Sequence, residues 1–479
     1  MNLSHRPLRT AEPHATTNQL WRTALLTLLS GSGLLTGIVR ADRPATFWAA
    51  PTGDFFDSTK WSLGAPSSSL DAKIDNGGIA SITTASGPNI PYVYLGSAQN
   101  TSGTLEVTGG GVANFTTMIV GALNATGRLN ILSGGRLTSF GGPIGSDYLG
   151  VGVATVDGAG SSWRVTGSEM VVGGNGDGTI RLQNTGNLTV QNGDGRVQLA
   201  NHPVSEGNLL IGDGGLAGTL SAREIYNGEG RGTVVFNHTN DSLAFAPRLK
   251  GLKTVNGFLN VEHNGPGTTI LTAVESNLAG TITVAAGTLL VNGNVMGSVT
   301  DVLMEDEVTQ ERTIGTTSVL TGGTLGGSGL IEGKTTVQGT LSPGMSAGVL
   351  RFGGDLSLES SAVVSMELGG ELRGTQFDGV DVAGALLYGG TLRIVLLNGF
   401  EPEEGDIFDL FNGFTSRSGT FANIVFSSGT YQGAFQPETG VLTIVPEPST
   451  CGLLALGISA LALRRRSKSR EVRSEEPLL

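Results

Sequence analysis

Apolar and polar positions alternate along much of the chain in short runs that each begin with a glycine. The pattern Gly-x-apolar-x-apolar starts at six glycines that follow one another at nearly even spacing: Gly103, Gly127, Gly152, Gly178, Gly207 and Gly232. Alternation with a period of two buries one face of an extended segment and leaves the other face in water. The pattern therefore predicts one short strand in each repeat.

A second short run precedes most of these strands and ends at a small residue. The runs "VYLG", "MIVG", "DYLG", "MVVG" and "VQLA" end at Gly96, Gly121, Gly150, Gly173 and Ala200. We expect these positions at corners of the fold, where the backbone needs a positive φ that glycine adopts without penalty. The loop "GGNGDG" after Val172 falls at one of these corners, which favours a turn over a ligand site.

A unit of about 25 residues made of short strands and glycine turns cannot bury its apolar face alone, but copies stacked on one another can. The predicted fold is therefore all-β, a right-handed parallel β-helix, or solenoid, built from coils of this length. Equivalent residues would form an inward ladder: Leu105, Leu129, Ala154, Ile180, Leu209 and Val234. A β-propeller is the competing architecture, but its blades need about 40 residues and four strands each.

The repeat pattern changes after residue 265 without losing its β character. We divide the chain into residues 1–41, a signal peptide; 42–265, the β-helix region; 266–445, a second β-rich region; and 446–479, a C-terminal signal. The pattern leaves open whether 266–445 continue the helix or form a separate sandwich. The charged stretch "DVLMEDEVTQERT", 301–313, is predicted to be an inserted loop or a short helix.

Both ends of the chain have the composition of targeting segments. A basic start followed by "TALLTLLSGSGLLTGIV" predicts a secretory signal with cleavage after Ala41, and a retained anchor is the alternative. At the other end, Pro446, Glu447 and Pro448 precede an apolar run, Cys451 to Leu463, and a basic cluster formed by Arg464, Arg465 and Arg466. The run predicts a short transmembrane helix with its basic end in the cytoplasm. A plain tail anchor is the alternative.

These C-terminal residues resemble the PEP-CTERM sorting signal of Gram-negative surface proteins, in which the Pro-Glu-Pro motif, a short hydrophobic helix and arginines follow in that order. The resemblance implies recognition by an exosortase, a membrane transpeptidase, and release of the body to the cell exterior or its polysaccharide matrix. The segments "GTITVAAGTLLVNG" and "FDGVDVAGALLYGG" resemble the autotransporter-associated β-strand repeat of bacterial passenger domains. The second resemblance implies a surface-exposed β-solenoid.

The charge of the predicted exported body disfavours nucleic acid as a partner. Residues 42–448 carry 19 Lys and Arg against 37 Asp and Glu, whereas phosphate binding needs clustered basic side chains. The single cysteine, Cys451, permits no disulfide within the chain. It would be either a lipidation site or an inert buried thiol.

Candidate ligand and catalytic groups are sparse. Asp177, Asp194 and Asp213 lie in glycine turns that offer too few oxygens for a typical calcium site. His238 and His263, separated by one coil length, could stack on one face as a metal site or general base, although stacked surface histidines are the commoner arrangement. We therefore expect no cofactor, no bound metal and no catalytic residue. Thr pairs do not recur at the coil period, which disfavours an ice-binding face.

These patterns predict a secreted structural or adhesive protein of the cell surface or matrix, held transiently at the inner membrane of a Gram-negative bacterium. Its expected partners are the exosortase-type transpeptidase, extracellular polysaccharide or surface components, and the membrane before processing. The alternative is a polysaccharide-active β-helix enzyme, such as a lyase or glycosidase, or a carbohydrate-binding protein. Such an enzyme would need carboxylates or basic groups converging on one face.

Overall fold

The computed structural model describes residues 43–84, 87–251, 257–304, 307–428 and 431–446. Apart from Arg43, these residues belong to one compact unit that begins at Pro44. The unit consists of strands, two 3-10 turns at Ser58–Lys60 and Gln191–Gly193, and connecting turns. Among these residues, no helix has the length and apolar character needed to cross a membrane. The predicted signal peptide and C-terminal helix lie outside the described residues.

The first strands in chain order are β1 (Ala45–Phe47), β2 (Thr52–Asp54), β3 (Asp71–Ile74), β4 (Asn76–Ile82), β5 (Ile90–Leu95), β6 (Ser102–Val107), β7 (Val112–Val120), β8 (Thr126–Leu132), β9 (Arg136–Gly141), β10 (Val151–Asp157), β11 (Ser162–Val165), β12 (Glu169–Val172), β13 (Asp177–Gln183), β14 (Asn187–Val190), β15 (Arg196–Leu199), β16 (Glu206–Ile211), β17 (Thr219–Ser221), β18 (Glu224–Asn227), β19 (Arg231–Phe236), β20 (Leu243–Phe245), β21 (Arg248–Gly251) and β22 (Phe258–His263). The later strands are β23 (Thr268–Leu271), β24 (Ser276–Leu278), β25 (Thr281–Val291), β26 (Asn294–Met296), β27 (Ser298–Met304), β28 (Glu307–Thr313), β29 (Thr316–Gly327), β30 (Leu330–Ile331), β31 (Lys334–Val337), β32 (Thr340–Pro343), β33 (Val349–Phe352), β34 (Leu356–Leu358), β35 (Val363–Leu368), β36 (Gly379–Val382), β37 (Ala385–Tyr388), β38 (Thr391–Leu396), β39 (Ile407–Asp409), β40 (Phe411–Asn412), β41 (Ser416–Gly419), β42 (Asn423–Phe426), β43 (Gln432–Gln436) and β44 (Val441–Val445).

Parallel pairing between successive coils builds three faces, as expected for a β-helix. Face 1 runs along the whole described body in the order β2-β4-β6-β8-β10-β13-β16-β19-β22-β25-β29-β31-β34-β37-β41. Face 2 has two sheets, one formed by the first part of β7 with β9, β11, β14 and β17, and one in the order β20-β23-β25-β29-β32-β35-β38-β42. Face 3 begins with β1, β3, β5 and the end of β7, passes through Ile144, and continues as β12-β15-β18-β21-β24-β26-β30-β33-β36-β40. The all-β, parallel β-helix prediction is confirmed.

The inward ladder predicted from the sequence is confirmed residue by residue. Leu105 pairs with Leu129, Leu129 with Ala154, Ala154 with Ile180, Ile180 with Leu209, and Leu209 with Val234, and all six are fully buried. Complete burial of one such aliphatic side chain stabilises a fold by about 1.5–3 kcal/mol. Stacking of identical positions is thus the main source of the core.

The same ladder continues beyond residue 265. Val234 pairs with Val261, and the row then passes through Ile282, Thr317, Thr335 and Leu356 to Leu386. Residues after 265 therefore extend the solenoid instead of forming a separate sandwich. Their coils vary more in length, because the step from Thr317 to Thr335 is shorter than any step along the ladder from Leu105 to Val234.

One predicted corner falls at a different residue. The corner glycines Gly121 and Gly173 have φ of 73° and 76°, and the equivalent residue between them is Gly145, with φ of 64°, not Gly150. The register is set by Ile144, which bridges both Val120 and Val172. The run "DYLG" is similar in sequence to the other copies, but it is part of the turn that follows the corner.

The glycines that start the face 1 strands are required by close approach and not by a positive φ. A Cβ at Gly178 would lie 2.2 Å from the amide nitrogen of Gly173, and one at Gly127 would lie 2.3 Å from that of Gly121. In these two coils the strand glycine thus lies against the corner glycine of the same coil.

The charged stretch at 301–313 is neither a loop nor a helix. Residues of β27 and β28 form an antiparallel hairpin in which Ser298 pairs with Thr313 and Met304 with Glu307. The hairpin is inserted between β26 and β29, at a coil boundary, so the parallel pairing of β25 with β29 is kept. The expectation of an insertion was right and the expected conformation was wrong.

Non-repeating elements cover both ends of the described solenoid. At the first end, Trp61 packs edge to face on Trp48 and Phe55, and its indole nitrogen donates a hydrogen bond of 2.7 Å to the carbonyl oxygen of Phe55. At the other end, β39, β44 and β43 form an antiparallel sheet, which we call the cap sheet. Covered ends prevent unwanted pairing with other chains.

Candidate functional site: the sorting junction and a buried histidine pair

The cap sheet leads directly into the predicted sorting motif. β44 is its central strand, since Leu442 pairs with Phe408 of β39 on one side and Val445 pairs with Gln432 of β43 on the other. The Ile444 amide donates a 2.9 Å hydrogen bond to the carbonyl oxygen of Asp406. Pro446, the first motif residue, is exposed and follows the last strand residue with no linker between them.

The remaining residues predicted to direct processing lie outside the described part of the chain. They are Ala41, Glu447, Pro448, Arg464, Arg465 and Arg466, together with the apolar run that starts at Cys451. Their roles as processing residues therefore stay predictions.

The cap sheet is anchored to the last coils by apolar contacts. Leu442 is fully buried and Ile444 is 3% exposed. The Phe435 ring of β43 packs edge to face on Tyr388 and Phe421 at centroid distances of 5.3 and 5.1 Å. Burial of the Tyr388 hydroxyl raises its pKa. The last strand before the motif is therefore part of the hydrophobic core.

A buried polar chain is the second candidate site, and it includes both predicted histidines. His238 and His263 are fully buried, with ring centroids 5.7 Å apart in an edge-to-face arrangement. Their Nε2 atoms lie 2.8 and 3.1 Å from the same atom, Oγ1 of the buried Thr269. The expectation that the two rings stack was right. The expectation that they lie on the surface was wrong. His238 follows the face 1 strand β19 and His263 ends the face 1 strand β22, and both lie at the corner that closes the core.

The other partners of each ring fix the direction of these hydrogen bonds. Nδ1 of His238 accepts from the Asn240 amide at 3.1 Å, so His238 carries its proton on Nε2 and donates to Thr269. Nδ1 of His263 lies 2.8 Å from the Ala286 carbonyl oxygen, which can only accept. His263 therefore accepts at Nε2 from the Thr269 hydroxyl, and both rings are neutral.

The electrostatic setting agrees with two neutral rings. Burial, followed by the proximity of His263, lowers the pKa of His238 to about 4. Burial likewise lowers the pKa of His263, although its hydrogen bond to the Ala286 carbonyl acts in the opposite direction. A pair of neutral imidazoles joined through a hydroxyl, with solvent excluded, acts as an internal hydrogen-bonded link.

The link lies where face 2 is interrupted. Strand β17 ends the first sheet of face 2 and β20 begins the second, and Asn240 bridges this gap by accepting a 2.8 Å hydrogen bond from the Ala217 amide at Oδ1. The polar chain thus runs from Ala217 through Asn240, His238, Thr269 and His263 to Ala286. It replaces the strand pairing that is missing at this corner.

The acidic turns considered for calcium have ordinary structural roles or face solvent. Asp177 opens β13 and accepts a 3.2 Å hydrogen bond from the Glu206 amide, while Asp194 and Asp213 are exposed in separate turns. Among the residues that the structure describes, no three His, Cys, Asp or Glu side chains converge as metal ligands would. The turn interpretation of "GGNGDG" fits its equivalence to the other corner turns.

Two polar or aromatic features were not predicted. Asp378 is fully buried and accepts 2.8 Å hydrogen bonds from the amides of Gly348 and Glu367, and burial raises its pKa to about 7. On the outside of face 3, Lys73 lies over the rings of Phe47 and Tyr94, at 5.8 and 5.1 Å from their centroids. Only the pairing register brings these residues together, so single-sequence patterns do not reveal them.

Comparison with known proteins bears on both the sorting junction and the solenoid. Residues 445–466 match the family described as a PEP-CTERM protein-sorting motif. The chain is 28% identical over 446 aligned positions to the Adhesin BmaC autotransporter of Brucella suis biovar 1 (strain 1330), a match that covers 78% of this chain and 12% of that protein. The chain therefore carries a PEP-CTERM sorting motif on a body similar to an autotransporter adhesin.

Two proteins of Escherichia coli (strain K12) are also similar. The uncharacterized protein YuaQ is 27% identical over 217 positions, covering 44% of this chain and 15% of YuaQ. The uncharacterized lipoprotein YdeK is 36% identical over 131 positions, covering 26% of this chain and 9% of YdeK. The chain thus spans less than a sixth of each relative's length. Together with the sorting motif, these similarities support an exported surface β-solenoid and imply processing by an exosortase-type system.

Proposed function

We propose that this chain is a structural or adhesive component of the surface or extracellular matrix of a Gram-negative bacterium. In this account, Ala41 ends a cleaved signal peptide. The C-terminal helix then holds the precursor transiently at the inner membrane, and an exosortase-type transpeptidase acts at Pro446, Glu447 and Pro448. The basic cluster Arg464, Arg465 and Arg466 keeps the tail end in the cytoplasm. The limits 1–41 and 446–479 follow from this division of roles, whereas the limit between 42–265 and 266–445 marks a change of repeat pattern within one solenoid.

The observation that carries the proposal is the direct succession of a long solenoid and a sorting motif. The solenoid presents broad, solvent-facing sheets over most of the chain, and such concave or flat repeat surfaces suit extended ligands. The acidic balance of residues 42–448 disfavours an anionic polymer as the main ligand. We therefore favour neutral polysaccharide or surface proteins as partners.

Substitution of the motif tests the sorting part of the proposal. In the native host, the double variant Pro446→Ala, Glu447→Ala should remain in the membrane fraction, while the unmodified chain reaches the exterior. The matched control is Pro437→Ala, Glu438→Ala, which changes the same dipeptide in the turn between β43 and β44 and should still reach the exterior. Release of the motif variant at the unmodified rate would contradict the proposal.

A carbohydrate-binding role is a second candidate, favoured by the aromatic row on face 3. Phe47, Lys73 and Tyr94 stand in register on successive coils, and Tyr92 stacks on Tyr94 with centroids 6.2 Å apart. Aromatic faces suit the apolar faces of sugar rings, and Phe47 is 48% exposed. Loss of polysaccharide cosedimentation in Phe47→Ala, with retention in Phe140→Ala, would support this role. Equal binding by both variants would contradict it.

The enzymatic alternative has less support from the residues that would serve it. His238 and His263 are buried inside the core, away from any extracellular polymer. Cleavage of an acidic polysaccharide that is abolished in His238→Gln, a substitution that keeps a polar side chain, would revive the enzymatic alternative.

A further inference from the structure

The sorting motif overlaps the folded body. The match to the sorting family begins at Val445, and Val445 is also the last residue of β44. No spacer separates the central strand of the cap sheet from the residues that the processing enzyme would recognise. This overlap concerns the same sorting step as the proposed function, and the inference below rests on it.

The residues just before the motif are held on both sides. On one side Val441 to Val445 pair with Gln436 to Gln432, and on the other Val441 to Thr443 pair with Asp409 to Ile407. The Ile444 carbonyl oxygen also accepts a 3.0 Å hydrogen bond from the Gly405 amide. The side chains of Leu442 and Ile444 are buried. The paired backbone of this segment and the side chains of Leu442 and Ile444 are therefore unavailable to another protein while the cap sheet is intact.

An enzyme that cuts a peptide chain binds it in an extended form, through the main-chain groups of residues that flank the bond. In the folded precursor, the residues upstream of Pro446 already use those groups within the cap sheet. Only the fraction of the precursor in which β44 has left the cap sheet can therefore bind to the enzyme. The apparent affinity of the enzyme for the precursor falls in proportion to that fraction. Elements at the end of a solenoid open more readily than its central coils, so the form with β44 released is populated.

We propose that release of β44 from the cap sheet controls the rate at which the sorting motif is processed. The folded end slows processing, and the membrane transpeptidase acts on the transiently opened end. In the covalent step, one peptide bond at the motif breaks and the body's acyl group passes to the enzyme nucleophile, while the tail leaves with a new amino terminus. Water or an acceptor amine then takes the acyl group and regenerates the enzyme.

The cap sheet can form again after cleavage, because Val441 to Val445 remain with the body. The mature end is then restored to the three-stranded arrangement. Release of β44 therefore affects the processing of the precursor and leaves the stability of the trimmed chain unchanged.

Spacer insertion tests the inference in the full chain. A flexible Gly/Ser spacer of about eight residues, inserted between Val445 and Pro446, provides a free segment with a root-mean-square end-to-end distance of about 15 Å. The matched control carries the same spacer between Gly109 and Gly110, in an exposed turn where an added Cβ would meet nothing within 4 Å. Pulse–chase labelling in the native host, followed by gel separation of precursor and trimmed chain, gives the processing rate.

We expect the junction spacer to speed conversion by about tenfold and the control spacer to leave the rate unchanged. The variant Leu442→Ala, which loosens β44 without touching the motif, should also be processed faster. An unchanged rate in the junction-spacer chain, with the unmodified chain trimmed normally, would overturn the gating and leave the proposed sorting function intact. Absence of trimming in every chain would instead overturn the sorting function, and the gating with it.

Discussion

The rings of His238 and His263 meet edge to face inside the solenoid, with centroids 5.7 Å apart, although the two residues belong to successive coils. Between them, the Thr269 hydroxyl accepts from one ring and donates to the other. This arrangement closes the corner at which the strand pairing of face 2 is interrupted. The continuity of the solenoid across its middle therefore depends on a directional polar link as well as on apolar ladders.

Removal of the shared hydroxyl should destabilise the fold more than removal of a methyl group. Thr269→Val keeps the shape but leaves the Nε2 atoms of both histidines without a partner, which costs about 2 kcal/mol or more. Thr269→Ser keeps the hydroxyl and should lose less. The measurement is the urea midpoint of each purified chain. Equal midpoints for the Val and Ser variants would contradict the directional link.

The histidine pair should make the protein sensitive to acid. The folded-state pKa of His238 lies near 4, below its ordinary value of 6.5, so the unfolded chain takes up the proton first as the pH falls. This contribution to stability is complete above pH 6.5 and is lost progressively as the pH decreases towards 4. The thermal midpoint of the unmodified chain should therefore fall across this window relative to that of a chain that lacks the His238 imidazole.

The variant His238→Gln isolates that effect, because Gln does not titrate. Asp378 has the opposite dependence, since its raised pKa makes stability fall as the pH rises from 3.8 to about 7. Both chains keep Asp378, so the difference between their thermal midpoints reports the histidine alone. A difference that stays constant between pH 7 and pH 4 would show that His238 is not the acid-sensitive group.

Because the corner closes by close backbone contact, substitution of a strand glycine that has an ordinary φ should strongly destabilise the fold. Gly178→Ala places a Cβ 2.2 Å from the Gly173 amide nitrogen and 2.6 Å from the Ile144 carbonyl oxygen, which should cost about 1–3 kcal/mol. Gly141→Ala is the control, because a Cβ there meets nothing within 4 Å. Denaturant titration of both variants tests this, and equal stability would refute the close-approach explanation.

Substitutions on a face 1 strand should destabilise the fold according to whether the side chain points inward or outward. Ile180→Ala removes a fully buried side chain that is stacked between Ala154 and Leu209, with an expected loss of about 2–5 kcal/mol. Thr179→Ala alters the neighbouring outward position on the same strand and should have a much smaller effect. Comparable losses in the two variants would mean that the inward register is wrong.

The sequence was most informative where one rule applied to every coil. Period-two alternation and glycine spacing predicted the inward ladder from Leu105 to Val234, because each coil must bury the same face. They failed at Gly150, since a short apolar run in a turn resembles a strand end and the register is set by Ile144, which forms isolated bridges to the neighbouring coils. They also failed at 301–313, where charge suggested an inserted loop or a short helix and cross-strand pairing gave a hairpin.

The buried polar groups could not be predicted because their environment depends on coil stacking. A separation of one coil length correctly suggested that His238 and His263 are neighbours. Their burial follows from positions at a corner, and the role of Thr269 follows from its place on β23, the strand after His263, and neither feature has a local signature. For the sorting motif, the residues themselves were sufficient, whereas its direct attachment to the central strand of the cap sheet required the structure.

The most direct test of the central claim is the intact mass of the chain recovered from the cell exterior and from the membranes of its native host. The account predicts an exterior species that begins at Asp42 and ends at or near Pro446, with the full tail present only in the membrane-bound precursor. An exterior or mature membrane-bound chain that retains Arg464 to Arg466 would contradict exosortase sorting.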